Sequence, residues 1–327
     1  MQSSDQEVLQ RASDWLQQGY RAHLFTVIQT WGSAPRLPGA ILIVREDGHL
    51  VGSVSGGCIE DDLADKAKHH ELPAQPAIME YGVNQAEAQR FGIPCGGQIK
   101  IFSEPLNHAS QLEPMLKSLA QRRLLKRSVH LPTGEIRHQY VLPEGQPRLE
   151  NDWFCSYFGP QWRLLIIGAN QLGSVLAAMA QALDFHVMIC DPREEMRDEW
   201  HVEGADWLPG MPDDVVLEIA PDPHTAIVAV THDPKLDDMA LLEALKSQAF
   251  YIGALGSVKN QEKRKQRLLT FDLSKQEVNR LHGPVGLRIG SRTPAEIAIS
   301  ILAELIQERA QLQQAGVQAE GTSRSVA

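Results

Sequence analysis

The feature that most constrains this chain lies in its second half. Residues 164–167, Leu-Leu-Ile-Ile, form a wholly apolar run that leads straight into Gly168-Ala169-Asn170-Gln171-Leu172-Gly173 and a helical stretch. Further apolar runs stand at 187–190, 226–230 and 250–252, with helical segments between them. Runs with no polar side are strands buried on both faces. Strands that alternate with helices require a parallel sheet covered above and below. The second half is therefore expected to be a Rossmann-like, doubly wound domain over 161–314. Arg292-Thr293-Pro294-Ala295-Glu296 opens its last helix, with Thr293 as N-cap, Pro294 first in the helix and Glu296 completing a capping box. That helix is expected to reach about Gln314, and 315–327 reads as a disordered tail.

The opening hundred residues follow another grammar. Val8, Leu9, Ala12, Trp15 and Leu16 repeat at helical spacing and Gly19 ends the helix. Short strands are expected at 23–29, 40–45, 49–55 and 98–102, with a hairpin turn at Asp47-Gly48 and a charged helix from about Ile59. Residues 1–105 thus read as a small α+β domain. A connecting segment over 106–160 carries a possible helix at 111–121 and a hairpin around Thr133-Gly134.

The chain has 327 residues, which at roughly 100–200 residues per domain suggests two domains. Its formal charge of −10 argues against nucleic acid as a general partner. No stretch approaches the roughly 18 uninterrupted apolar residues of a membrane span. The N-terminus lacks the basic start and apolar run of a signal peptide, so a cytoplasmic protein is expected. Cys58, Cys95, Cys155 and Cys190 include no Cys-x-x-Cys pair and form no disulfide framework.

The turn at Gly168 has the place of a dinucleotide fingerprint, and Asp191 follows 23 residues later, near the spacing of a ribose-binding acid. Asn170, however, stands where a second glycine lets the backbone approach a pyrophosphate. The fold signal is strong and the NAD(P) signal weak. Ligands of open parallel sheets sit beyond the carboxyl ends of the strands. Asp191 with Arg193, Thr231-His232-Asp233 and the loop holding Gly253, Gly256 and Ser257 all fall there, beside Gly168 and Gly173. His232 reads either as a functional imidazole or as a hydrogen-bonded loop residue. The run Lys259, Lys263, Arg264, Lys265 and Arg267 reads as a solvated helix face ahead of a phosphate site.

In the first domain, Ser53-Val54-Ser55-Gly56-Gly57-Cys58-Ile59-Glu60 leaves a strand, crosses two glycines and opens a helix. Cys58 then stands where the helix dipole favours a thiolate, beside glycine amides that form an anion nest. Cys95-Gly96-Gly97 is a second cysteine on a glycine loop, and the two are candidates to meet. The competing reading is a pair of buried cysteines packing as small hydrophobes. Cys155 and Cys190 sit in apolar strand contexts and read as core. The loop through Trp31 and Arg36 is rich in donors. Arg36 suits a phosphate or carboxylate, and Trp31 either stacks on a flat ring or covers the core.

Taken together these motifs resemble the XdhC/CoxI accessory proteins of xanthine dehydrogenase and related molybdenum hydroxylases. The matching residues are Thr30-Trp31-Gly32-Ser33-Ala34-Pro35-Arg36, Gly52 to Glu60 and Cys95-Gly96-Gly97. In the second half they are Gly168 with Gly173, Asp191 with Arg193, Thr231-His232-Asp233, Tyr251 to Ser257, and Gly286-Leu287 through Ile289-Gly290 to Pro294-Ala295-Glu296-Ile297-Ala298. The resemblance implies a chaperone that binds molybdenum cofactor, as molybdopterin or its dinucleotide form. It also implies that the chaperone assists sulfuration and delivers the cofactor to an apo molybdenum hydroxylase. It further implies a cysteine desulfurase partner and a homodimer. Soft thiolate suits molybdenum, so Cys58 and Cys95 are the candidates to hold the metal or relay sulfur, with Arg36, Gly56, Gly57, Gly96 and Gly97 about the cofactor. The chain departs from the family pattern at Asn170 and Gln171, where the family reads Gly-His, and at Arg288, where it usually has an acid. The alternative reading is an NAD(P)-dependent oxidoreductase with His232 as acid/base. Asn170 and the absence of a Tyr-x-x-x-Lys pair stand against it.

Overall fold

A computed structural model describes residues 4–31, 36–82, 98–108, 111–141 and 146–322. The chain divides into two compact units, 2–160 and 161–314.

The first unit opens with α1 (Ser4–Gln17), whose five predicted apolar positions are all buried. Gly19, at φ +88°, ends it, with the Tyr20 N–H reaching back to the Trp15 carbonyl. The chain then forms β1 (Ala22–Trp31), β2 (Ile41–Arg45), β3 (Leu50–Gly52), α2 (Cys58–Lys68), β4 (Ala77–Tyr81) and β5 (Gln98–Leu106). The strands make an antiparallel sheet in the order β3-β2-β1-β5-β4. Both faces of its centre are covered. Leu24, Ile41 and Ile43 pack with α1, while Phe25, Val27, Leu42 and Val44 pack with Ile59 and Leu63 of α2. This explains why β1 and β2 are apolar almost throughout although their sheet is antiparallel.

Residues 106–160 do more than connect. They form α3 (Glu113–Ala120) and β6 (Leu125–His130), β7 (Ile136–Tyr140), β8 (Arg148–Glu150) and β9 (Trp153–Phe158), a second antiparallel sheet ordered β7-β6-β9-β8. Phe102 of β5 and Phe154 of β9 stack at 4.2 Å between the two sheets. Nearby, Arg127 of β6 forks onto Glu104 of β5 at 2.7 and 2.5 Å, with both side chains buried.

The second unit has the expected α/β class. It runs β10 (Arg163–Ile167), α4 (Gln171–Ala182), β11 (His186–Cys190), α5 (Glu194–Asp198), β12 (Asp206–Trp207), α6 (Pro212–Ile219), β13 (Thr225–Ala229), α7 (Pro234–Ala244), β14 (Tyr251–Ala254), α8 (Val258–Leu268), α9 (Lys275–Val278), β15 (Leu281–His282) and α10 (Pro294–Thr322). All six strands are parallel, in the order β12-β11-β10-β13-β14-β15. Leu164 and Ile166 face one layer of helices, Leu165 and Ile167 the other. The order reverses between β10 and β13, which puts the glycine turn after β10 at the switch point. The last helix has the predicted cap: the Arg292 and Thr293 N–H groups donate to Glu296. It continues through Thr322, beyond the end expected near Gln314. No described helix is long and apolar enough to cross a membrane.

Candidate functional site

In each unit most of the described sequence-selected residues lie toward one end of its sheet. In the first unit, Trp31 pairs with Gln98 and Tyr81 with Ile99, while Gly52 pairs with Leu42 near the start of β2. The loop that leads into α2 leaves from this end. Gln98 is the first described residue after the Cys95-Gly96-Gly97 motif. Cys95, Gly96 and Gly97 themselves lie outside the described residues. Arg36 is exposed between β1 and β2 and makes no ion pair among the described residues.

Cys58 is the first residue of α2, and Gly57 is its N-cap. The glycine loop before it is a nest, as expected, but its anion comes from the chain itself. Glu60 accepts the N–H groups of Val54, Ser55, Gly56 and Gly57 at 2.8–2.9 Å, the Ser53 hydroxyl at 2.7 Å and the Ser55 hydroxyl. Burial alone would raise this carboxyl, but the donors from Ser55, Ser53 and Gly56 outweigh it and hold the group at about 2. The amides expected to favour a thiolate at Cys58 are therefore engaged by a carboxylate. What they provide is rigidity: the entry to α2 is pinned by six donors. Gly56 sits at φ +83°, and among the described residues a Cβ on Gly57 would meet nothing within 4 Å.

In the second unit, Gly168 and Gly173 are fixed by contact. Gly168 has φ +119°, and a Cβ there would lie 2.8 Å from the Thr231 nitrogen. One on Gly173 would lie 2.1 Å from the Gly168 carbonyl oxygen. Both glycines let strand and helix pack closely. Asn170 fills the place of the missing glycine with a cap. Its side chain accepts the Gly173 N–H at 3.0 Å and donates to the Val230 carbonyl at 2.5 Å. Asp191 is likewise engaged, by the Ala169 N–H at 2.9 Å and by two arms of Arg193 at 2.8 and 2.6 Å. Burial works to raise the Asp191 carboxyl, but Arg193 and the Ala169 amide hold it below the usual range. Helix amide and ribose acid are both bonded within the chain, which opposes a dinucleotide in the ordinary Rossmann pose.

Beyond β13, Thr231 donates its N–H and hydroxyl to Asp237 and accepts the Asp233 N–H, and Asp233 caps α7. His232 is exposed, at φ +67°. Beyond β14, Ser257 caps α8 and Gly256 precedes it at φ +148°. Gly253 does not face the crevice: a Cβ there would strike Val285 at 2.5 Å and Tyr251 at 2.8 Å. Cys155 and Cys190 are buried, as expected, and burial pushes the Cys190 thiol up to about 12.

Three features were not foreseen. One is Glu60 as the nest's anion, for which the signal was its position three residues after the N-cap. Another is Arg264, read as part of a solvated face but buried beneath the crevice on Asp237 at 2.9 Å and Asp238 at 3.0 Å. The third joins β14, β15 and α10. Glu304 accepts the Tyr251 hydroxyl at 2.5 Å and the Gly286 N–H at 2.7 Å, with His282 Nδ1 at 3.1 Å. Among the described residues, no three His, Cys, Asp or Glu side chains form a metal set.

Comparison with known proteins finds a family match in each half of the chain. Residues 15–82 match the XdhC and CoxI family, and 164–305 match the XdhC Rossmann domain. The chain is 29 % identical over 306 residues to the molybdenum cofactor insertion chaperone PaoD of Escherichia coli, covering 92 % of this chain and 88 % of that one. It is 27 % identical over 314 residues to a protein of Bacillus subtilis described as a probable xanthine dehydrogenase subunit, covering 88 % and 93 %. A crystal structure described as a xanthine dehydrogenase from Bacillus halodurans superposes with a TM-score of 0.75 at 27 % identity, over 95 % of this chain and 97 % of the other.

Proposed function

This chain belongs to the XdhC and CoxI family, and on that premise we propose that it is a molybdenum cofactor insertion chaperone for an enzyme of the xanthine dehydrogenase type. The observation that carries the reading is the pinned loop at the head of α2. Six donors fix Glu60, a Cβ on Gly57 would meet no described atom within 4 Å, and Cys58 follows at the helix start. A binding loop built on a rigid element holds its groups in place at low entropic cost. The cysteines Cys58 and Cys95 would bring soft sulfur, which suits molybdenum.

In this reading Cys58 and Cys95 hold the metal or relay sulfur, and Arg36 meets an anionic part of the cofactor or client. When bound, the cofactor supplies the metal and its dithiolene sulfurs. The chain's part is to bind, orient and shield them. Sulfuration with a cysteine desulfurase, delivery to the apo-enzyme and action as a homodimer complete the proposal.

The test is the molybdenum and pterin content of the full chain purified from a cofactor-producing host, beside Cys58→Ser and Cys95→Ser. Cofactor in the native protein, lost in either variant together with client activation, is the expected result. Undiminished cofactor and client activity in the double variant would sink the cysteine roles. Absence of cofactor from the native protein, with NAD(P) in its place, would replace the reading by the oxidoreductase one.

A further inference from the structure

The crevice of the second unit has a part that its glycine turn does not explain. A pocket of about 220 Å³ lies beyond β13 and β14, lined among others by His232, Gly256, Asn260, Lys263, Arg264 and Arg267. It is one strand removed from the switch point, where Asn170 and Arg193 already bond the helix amide and Asp191.

The floor of this pocket is complete in itself. Arg264 is buried and binds Asp237, Asp238 and the Leu255 carbonyl. Asp237 also accepts from Thr231, and Gln261 donates to the Ala254 carbonyl. Arg267 binds Asp238 at 2.6 Å. Two arginines therefore meet two aspartates, and the lining keeps one positive charge, on Lys263.

The rim differs. Among the described residues, no hydrogen bond or ion pair engages the side chains of His232, Asn260 or Lys263. His232 is carried there on a left-handed backbone, which a non-glycine residue adopts only when its surroundings impose it. In the first turn of α8 the Ser257 hydroxyl already takes the Asn260 N–H at 3.3 Å, so this turn offers the pocket the Asn260 side chain. Gly256 keeps the entrance low: a Cβ there would come within 3.1 Å of Gln261 Nε2. A rigid neutral floor, one uncompensated ammonium and the unengaged side chains of Asn260 and His232 form a site for a compact anion. The volume falls short of the roughly 300 Å³ at which whole organic ligands are enclosed, so the pocket takes an end group.

We propose that this pocket binds the phosphate end of a ligand, with Lys263, Asn260 and His232 as its contacts. The phosphate belongs either to a nucleotide or to a phosphorylated pterin. That second assignment rests on the function proposed above, while phosphate binding itself does not.

The test titrates the full chain with inorganic pyrophosphate, and in parallel with ADP, by calorimetry at low ionic strength. Wild type is expected to bind pyrophosphate. Lys263→Ala is expected to weaken binding by about ten-fold or more through loss of a charge-assisted contact. Lys265→Ala removes the same charge from the same helix outside the pocket and is expected to stay within about two-fold, given salt screening of exposed charges. ADP binding well above pyrophosphate would name a nucleotide as the source. Equal binding would name the phosphate terminus alone. No binding by wild type, or equal losses in both lysine variants, would overturn the proposal. Lys263 is exposed, so an unchanged thermal midpoint in its variant confirms that loss of binding is not loss of fold. Pyrophosphate binding without cofactor in the purified chain would remove the chaperone reading and leave this site standing.

Discussion

Two loops in this chain share one grammar and solve it differently. Gly52 to Glu60 and Gly168 to Gly173 each lead from a strand through glycines into a helix, and in each a side chain near the helix start accepts backbone amides of the turn. In the first, a carboxylate gathers four N–H groups and two hydroxyls. In the second, a neutral amide takes one N–H and gives one hydrogen bond to a strand carbonyl. Strand, glycine and helix thus prepare an anion site, and a single side chain decides whether an outside anion is admitted. At Glu60 the chain supplies the anion. At Asn170 it closes the door with a cap.

The largest expected effect breaks the stronger of the two. Glu60→Ala takes the shared acceptor from six donors, the Val54 N–H among them buried, and should destabilise the first unit by about 3 kcal/mol, read by urea unfolding of the full chain. The same carboxylate sets a pH signature. Its folded value of about 2 lies below its ordinary 4.5, so its stabilisation is complete above about pH 5 and fades as pH falls towards 2. The shift corresponds to about 3 kcal/mol, so the gap between wild type and Glu60→Gln should narrow through that window. A gap that stays constant would show that Glu60 is not the titrating group.

At the weaker loop the effect should be smaller. Asn170→Ala removes an N-cap and should cost the second unit about 1 kcal/mol, again by urea unfolding. A cost as large as that of Glu60→Ala would erase the distinction drawn between the loops.

Gly57→Ala should do least to stability, under about 0.5 kcal/mol, because among the described residues its Cβ meets nothing within 4 Å. On the proposed function it should nevertheless lower the molybdenum content of the purified chain, since there the cofactor approaches this loop. Unchanged content would show that this side of the loop is not used.

How far the sequence discloses this architecture depends on what each element buries. The parallel strands of the second unit are covered on both faces, so they stand out as apolar runs, as Leu164 to Ile167 do. β4 and β8 escaped because they are edge strands: β4 reads Ala-Ile-Met-Glu-Tyr and is mostly half-buried, and β8 has three residues. β9 escaped because its pattern is mixed, with Tyr157 and Trp153 half-exposed between buried neighbours. At the sites, the positions of the loops were legible from their glycines. The identity of the bonded groups was not. Nothing in composition says that Arg264 turns inward while Lys263, one residue before it, turns outward. That is decided by Asp237 and Asp238 on another helix.

The ion pair between Glu104 and Arg127 carries a practical consequence for anyone dissecting the molecule. A fragment cut after residue 105 would keep a carboxylate made for burial and discard the guanidinium that neutralises it, along with the sheet that covers Phe102. A fragment beginning after the cut would inherit the converse defect. Removing one partner of such a pair costs about 3–5 kcal/mol, a large share of what a small domain has in total. The shortest first-unit piece worth expressing by itself therefore ends near residue 160, and a boundary drawn from the family match to 15–82 alone would leave out β5, the strand between β1 and β4.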